Sequence, residues 1–506
     1  MFQVCRDTVA IRPARRRRGR GASPGVDGRL SYGMTQSTFY GSAPGGGSSG
    51  GGHSGGGTGS SSGSGGGATI GGVTEARVAA ATICADMRGG DLLDPAFDRR
   101  TIGLDARDRR WTRELVYGML RHRSRLDAVL AARVNGGLAR LDADLADLLR
   151  LGAQQLLSMR SVPAYAAIAQ TVELAKRRHG IGASKLANAV LRRLDREREA
   201  LTVPVPADPV DALALEHSHP RWLVARWVAR WGADETARLL AANNVEAPII
   251  VRPWHVVREQ LEATLESAGV HVTDAPLVGD SMTISAPPVG LTELGAYKQG
   301  LFHVQDPAST LVTKYACFPT GAAVADLCAA PGGKAIELSR TAGIVIASDA
   351  SPSRLGRVAQ NVLRLEVPNI ALMVADARFP AVQGLDGVLI DVPCTGTGTF
   401  RRHPDARWRL KTSDLAVLGA LQRAIIRAAA TVVRPGGLLV YSTCSLEPEE
   451  NDEQIESFLA DHPEWTLEPP PNGAVPEGVL DAGRLRVLPQ RHGADGAFAA
   501  RLRRAR

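Results

Sequence analysis

Three segments of the 506-residue chain carry side chains whose types and spacing could do chemistry. The first, Cys328-Ala329-Ala330-Pro331-Gly332-Gly333-Lys334, joins an apolar run to a helical pattern. At a strand-to-helix turn glycine lets the backbone approach a ligand, and the first helical N–H groups lack intrahelical acceptors, so a carboxylate or phosphate is the natural occupant. A triphosphate-binding loop would need glycine where Cys328 stands and Ser or Thr where Ala335 stands, which disfavours nucleotide triphosphatase chemistry. Three carboxylates, Asp349, Asp376 and Asp391, close successive β-rich runs. An acid at the end of the second strand of a doubly wound sheet can accept both hydroxyls of a ribose. A single acid there is often only a helix cap, but four strands ending in a glycine turn or an acid describe one edge that binds a nucleoside-like cofactor. The remaining segments, Asp391-Val392-Pro393-Cys394 and Ser442-Thr443-Cys444-Ser445, each place a cysteine just past a strand end. A cysteine is more commonly a small buried hydrophobe. At the carboxyl edge of an α/β sheet, where catalytic groups gather, the pair offers nucleophilic catalysis.

The elements that must position these groups read as repeated strand–helix units over residues 305–506: β-rich runs at Ala323–Leu327, Ile344–Asp349, Ile370–Ala375, Val388–Asp391 and Leu438–Tyr441, with helical segments between them. Ser351-Pro352 opens one such helix as cap and first residue. Repeated βα units predict a parallel, doubly wound sheet. Ahead of it, residues 73–203 show helical periodicity: Trp111, Leu115, Met119; Leu141, Leu145, Leu148, Leu149, Leu156; Ile168, Val172, Ala175; Leu186, Val190, Leu191, Leu194. This predicts a helical bundle. Val203–Asp211, with three prolines in nine residues, reads as a linker into a small α/β subdomain spanning 204–304, with a helix from Arg221 to Leu240 and strand-like Pro248–Val251.

Residues 1–72 read as a disordered extension. Of the 27 residues from Gly41 to Gly67, 15 are Gly and 8 are Ser, a composition that cannot offset its ordering entropy. The net charge of +8 sits mostly here: eight arginines face two aspartates in the first 40 residues, which leaves residues 73–506 at +2. Bulk charge is therefore weak evidence for a polyanionic partner, and the six lysines among 60 basic residues suggest a GC-rich coding bias. Met34 is a candidate start within this segment. Six cysteines without CxxC or Cys/His ligand spacing indicate neither a disulfide framework nor a structural zinc site, and a reducing cytoplasm fits. No metal is expected. No apolar run approaches the roughly 18 residues of a membrane span, so an integral membrane protein is not expected.

CAAPGGK (328–334), DVPCTGTG (391–398) and YSTCSLEPEEND (441–452) together resemble the three signature motifs of the RNA cytosine-5 methyltransferases that use S-adenosylmethionine. LDARDRRWTRELVYGMLR (104–121) and LANAVLRRL (186–194) are similar to the NusB-like RNA-binding domain of the bacterial 16S ribosomal RNA enzymes in the RsmB/NOP family, and RRHPDARW (401–408) and HGADGAF (492–498) fit too. Val392 stands where this family usually has Ala, and the Gly/Ser extension has no counterpart. The resemblance implies three parts: an all-α NusB-like domain, a small α/β subdomain and a Rossmann-like methyltransferase domain. It makes Cys444 the nucleophile that adds to cytosine C6, gives Cys394 a part in releasing the product, and sets a protonated Asp391 against the base. It also implies cofactor contacts from Cys328, Ala329, Ala330, Pro331, Gly332, Gly333 and Lys334 at the methionine end, Asp349 at the ribose, Asp376 at the adenine amine, and Asp391 beside both. Arg401, Arg402, His403 and Arg407 become candidates to hold RNA, each weighed evenly against a solvated basic loop. The implied substrate is 16S ribosomal RNA, as free RNA or in a small-subunit assembly intermediate, at the position equivalent to cytosine 967. A monomer acting on neither DNA nor membranes is expected. Other readings are a different rRNA or tRNA cytosine, a DNA cytosine-5 enzyme with its nucleophile in the Pro-Cys motif, and a non-catalytic antitermination module. The last predicts a decayed catalytic edge, whereas both cysteines and all three acids are present.

Overall fold

In the computed structural model, residues 69–506 other than 71 and 286 are described; the arginine-rich and Gly/Ser-rich stretch through residue 68, Met34 included, lies outside them. Strand β1 (Thr69–Ile70) pairs antiparallel with β2 (Val73–Thr74), so ordered pairing begins before the boundary expected at residue 73. The helical pattern then yields α1 (Glu75–Arg88), α2 (Leu93–Arg100), α3 (Ala106–Arg121), α4 (Arg123–Ala131), α5 (Ala143–Ser158) and α6 (Ala164–Glu197). The carboxylates of Asp105 and Asp142 cap α3 and α5 by accepting first-turn N–H groups, as short polar side chains do at helix starts. Gly180, at φ 82°, breaks α6 into two helical arms. The apolar stripes converge: Leu115, Met119, Leu145, Leu148, Leu149, Val190, Leu191 and Leu194 share one buried core, with Trp111 at its margin under the Arg77 guanidinium.

Residues 203–208 run as coil, but the expected linker ends in a helix. Pro209 opens α7 (Pro209–Glu216), which Asp208 caps. The single helix expected over Arg221–Leu240 is two, α8 (Arg221–Trp231) and α9 (Ala233–Asn244), because Gly232 takes φ 80° between them. Next, β3 (Ile249–Pro253), α10 (Arg258–Ser267), β4 (His271–Asp274), β5 (Met282–Ser285), α11 (Gly295–Lys298) and β6 (Phe302–Val304) form the small subdomain. Its antiparallel sheet has the order β4-β5-β3-β6.

The rest of the chain contributes α12 (Pro307–Ala316), β7 (Ala323–Asp326), α13 (Gly333–Ser339), β8 (Ile344–Asp349), α14 (Pro352–Arg364), β9 (Ile370–Val374), β10 (Leu385–Asp391), α15 (Ala406–Arg409), α16 (Thr412–Val432), β11 (Val433–Thr443), α17 (Asp452–Asp461), β12 (Trp465–Leu467), β13 (Leu480–Asp481), β14 (Arg484–Val487), α18 (Pro489–His492) and β15 (Ala497–Arg504). Strands β11-β10-β7-β8-β9 are parallel, as the βα repeat predicts. The last four strands extend the sheet antiparallel through β15 to nine strands in all, an addition the repeat does not anticipate. Helices cover both faces over two buried clusters. Helix α16 corrects one expectation: by length and composition it could cross a membrane, yet half of it is buried in the domain, with Ile425, Ile426 and Ala429 packed against the sheet.

Candidate active site

Parallel pairing of β10 with β11 sets Asp391 beside Ser442, and the Ser442 hydroxyl donates to Asp391 Oδ1 at 2.9 Å. Both strands then turn outward, each carrying a cysteine past its end. The two sulfur atoms meet at 3.3 Å although they are 50 positions apart in the chain. Cys394 is buried, and its hydrogen bond to Cys444 together with that burial pushes its thiol pKa well up. Cys444 keeps partial exposure and lines a cleft with Lys334, Asp391, Gln305, Thr399 and His403.

Lys334 is the first-turn lysine of α13, 7% exposed, with its ammonium donating to Asp391 Oδ2 at 2.7 Å. Burial opposes its charge, but Asp391 and Asp326 outweigh it and raise its pKa. With one oxygen taking the lysine and the other the serine, Asp391 is placed as an acceptor. Lys334 is the cationic donor of the pair. Behind them Asp326, 1% exposed at the end of β7, is pushed up to about 7 by burial.

The turn before α13 depends on Gly332. Its φ is 108°, and a Cβ there would stand 3.0 Å from Val358 Cγ1. Arg354 ties the turn to the next strand end by donating to the Ala330 carbonyl, 3.2 Å, beside Asp349. Asp349 is 4% exposed and uses one oxygen to accept the Ser351 N–H at the start of α14. Asp376 closes the row after β9 and is ion-paired with Arg378, which holds its carboxyl below the usual range. The glycine turn, the first N–H groups of α13 and acids along one strand edge fit a cofactor with a nucleoside and an anionic end. Gln305 Nε2, buried against Gly333, finds no acceptor among the described residues, a donor that a bound acceptor group would satisfy.

Three groups at this site went unread in the sequence: Gln305, Asp326 and Glu450. Gln305 has no motif around it, and Asp326 merely ends an apolar run. Glu450 is buried beneath the loop after β10, accepting from Thr395 N at 2.9 Å and Gln422 Nε2 at 3.0 Å, so it holds that loop in place. Its only signal is an acidic run after the second cysteine.

The four residues expected as candidates to hold RNA divide between the cleft and the interior. Arg401 and Arg402 are clamped between Asp306 and Asp495, the former 6% exposed. His403 pairs with Asp94 of α2 at 3.0 Å. Arg407 is 0% exposed and donates to the carbonyls of Ser218, Asn243 and Phe400; burial, with Arg121 nearby, lowers its pKa to about 9. Arg402 and His403 border the cleft, whereas Arg401 and Arg407, expected either as RNA contacts or as part of a solvated basic loop, are buried ties between protein segments.

Known proteins match this chain along most of its described length. A family model described as 16S rRNA methyltransferase RsmB/F covers residues 319–503, one for the NusB family covers 74–196, and one for a ferredoxin-like domain of RsmF/B-like methyltransferases covers 219–290. A probable ribosomal RNA small subunit methyltransferase B of Synechocystis is 34% identical over 85% of this chain and 99% of its own length. A putative methyltransferase of Mycobacterium tuberculosis is 35% identical over 79% of this chain and 90% of its own. The crystal structure of PH0851 superposes with a TM-score of 0.71 at 27% identity, over 84% of this chain and 98% of that one. Since a third of all positions agree across nearly the whole of the cyanobacterial relative, from the helical domain through the paired cysteines, the chain belongs to the RsmB/F family of rRNA methyltransferases with a NusB-like domain.

Proposed function

We propose that the chain methylates C5 of a cytosine in 16S ribosomal RNA, at the position equivalent to cytosine 967, and that Cys444 is the covalent nucleophile. One observation carries this reading: two thiols in contact at a strand edge, beside a lysine–aspartate pair and a glycine turn.

Cytosine C5 is a poor nucleophile until C6 is attacked. Addition of the Cys444 sulfur to C6 as a thiolate, its proton having passed to solvent, makes C5 an enamine carbon, with the displaced electron pair moving into the ring. Lys334, charged and desolvated at the cleft wall, is placed to stabilise that developing negative charge, and Asp391 holds the lysine. S-adenosylmethionine, when bound, supplies the electrophilic methyl group. The residues that would hold it are the 328–334 turn, with Asp349 at the ribose and Asp376 at the base. In release a solvent base takes the C5 proton, the freed electron pair re-forms the C5–C6 double bond, the C6–S bond breaks and Cys444 departs as a thiolate. Cys394, hydrogen-bonded to Cys444, is within one proton transfer of that leaving sulfur. The target must be unstacked before C6 can meet a thiol in a cleft.

The test is transfer of labelled methyl from S-adenosylmethionine to 16S RNA from cells lacking this modification, followed by bisulfite mapping. A single protected cytosine is expected. Labelling of tRNA alone, or of no RNA, overturns the proposal.

A further inference from the structure

A second, partly open cleft lies between the helical domain and α15. Four arginines line it, and three are already committed: Arg88 to Asp144 and Asp147, Arg150 to Asp127 and Asp147, Arg409 to Asp405. The fourth, Arg123 at the start of α4, makes no ion pair among the described residues. Its guanidinium lies over the indole of Trp408 at 5.4 Å, and burial, with Arg150 close by, lowers its pKa. Trp408 is itself fixed by donating its indole N–H to the Leu120 carbonyl at 2.8 Å. Asp127 and Asp147 lie near enough to favour its charge without pairing with it directly; a partly desolvated cation with no direct ion pair is costly in an unliganded fold and becomes more favourable when an anion arrives.

The position of this cleft suggests which anion. Thr399, Arg402 and His403 border the cleft that holds Cys444, and Asp405, Trp408 and Arg409 of the same segment border the second. From His403 to Trp408 the chain can reach at most about 18 Å, less here because it turns helical at Ala406. The two clefts are therefore close enough for one strand bound in the catalytic cleft to reach the second within a few nucleotides. We propose that this second cleft is a phosphate-binding site for the single-stranded RNA flanking the target cytosine, with Arg123 as the anion's partner and Trp408 as its wall. The inference rests on the proposed reaction on RNA and names a contact beyond it.

The experiment uses the full chain and a synthetic strand carrying the target, in which single neutral methylphosphonate linkages are walked along both sides of the cytosine. For the wild type, one linkage is expected to weaken binding by about tenfold, in the range of a charge-assisted hydrogen bond. In Arg123→Gln that same linkage costs less than about twofold, because the interaction is already absent. The slope of log Kd against log salt also falls by about 0.7, the single-strand value for one phosphate. Arg123→Lys, which keeps the charge, retains the linkage sensitivity, and unchanged S-adenosylhomocysteine binding shows that the variants are folded. If no linkage stands out in the wild type, or if the sensitive one is equally sensitive in Arg123→Gln, the site is overturned. A wild type that binds the strand without methylating it overturns the proposed reaction instead, and still reports on the site.

Discussion

Cys394 donates to or accepts from Cys444 across 3.3 Å, so neither thiol can change its protonation or bonding without the other responding. Replacing Cys444 with Ala is expected to lower methyl transfer by at least about a thousandfold, the scale for losing a covalent nucleophile. Cys394→Ala should instead accumulate a protein–RNA adduct that survives a denaturing gel. An adduct appearing only when Cys444 is removed would reverse the two roles.

Asp326 sets a pH dependence of stability. Its carboxyl is raised to about 7 in the folded chain, so the folded state holds a proton that the unfolded state has released above the ordinary aspartate range. The stabilisation is complete below the unfolded value and is lost as pH rises through about 7. Asp326→Asn, which keeps an acceptor for the Cys328 N–H, should match the wild type near pH 4 and be more stable by about 4 kcal/mol at pH 8.5 in urea unfolding. An equal difference at both pH values would contradict this.

Arg407 ties α15 to residues 218–244, and its removal strands three carbonyls in the interior. Arg407→Met should cost about 3 kcal/mol in unfolding free energy while leaving the salt slope of RNA binding unchanged. A shallower slope with normal stability would restore its reading as an RNA contact.

Gly398 and Gly496 pass so closely that a Cβ on Gly496 would stand 2.6 Å from Gly398 Cα and 2.8 Å from Leu446 Cδ2. The Gly398 N–H donates to the Cys444 carbonyl at 3.0 Å, so displacement there reaches the nucleophile. Gly496→Ala should destabilise by about 2 kcal/mol and lower kcat by about tenfold with little change in cofactor affinity. Calorimetry and steady-state kinetics would check both.

The catalytic edge was legible because its signals are local. A glycine turn, an acid or a cysteine just beyond an apolar run is set where the run stops, and β8 was read to its exact limits, Ile344–Asp349. What failed was partnership. Nothing in the spacing of Arg401 and Arg402 shows that Asp306 and Asp495, each about 95 residues away, will enclose them. Arg407 reads as a surface arginine until Asn243 is folded beside it. Likewise Gly232 sits inside an apolar period that continues on both sides, and only its left-handed backbone reveals two helices. The strands after β11 pair antiparallel through contacts that no repeat announces.

The tie between His403 and Asp94, with Trp408 held by Leu120, bears on how freely the helical part can be exchanged. Segment 399–409 belongs to one domain by chain order and is anchored in the other by its side chains. A chimaera that grafts the helical domain of a distant relative onto this methyltransferase core would break the seam in its middle. Portability is expected only when residues 399–409 travel with the graft, since the seam between the two parts is carried by that segment.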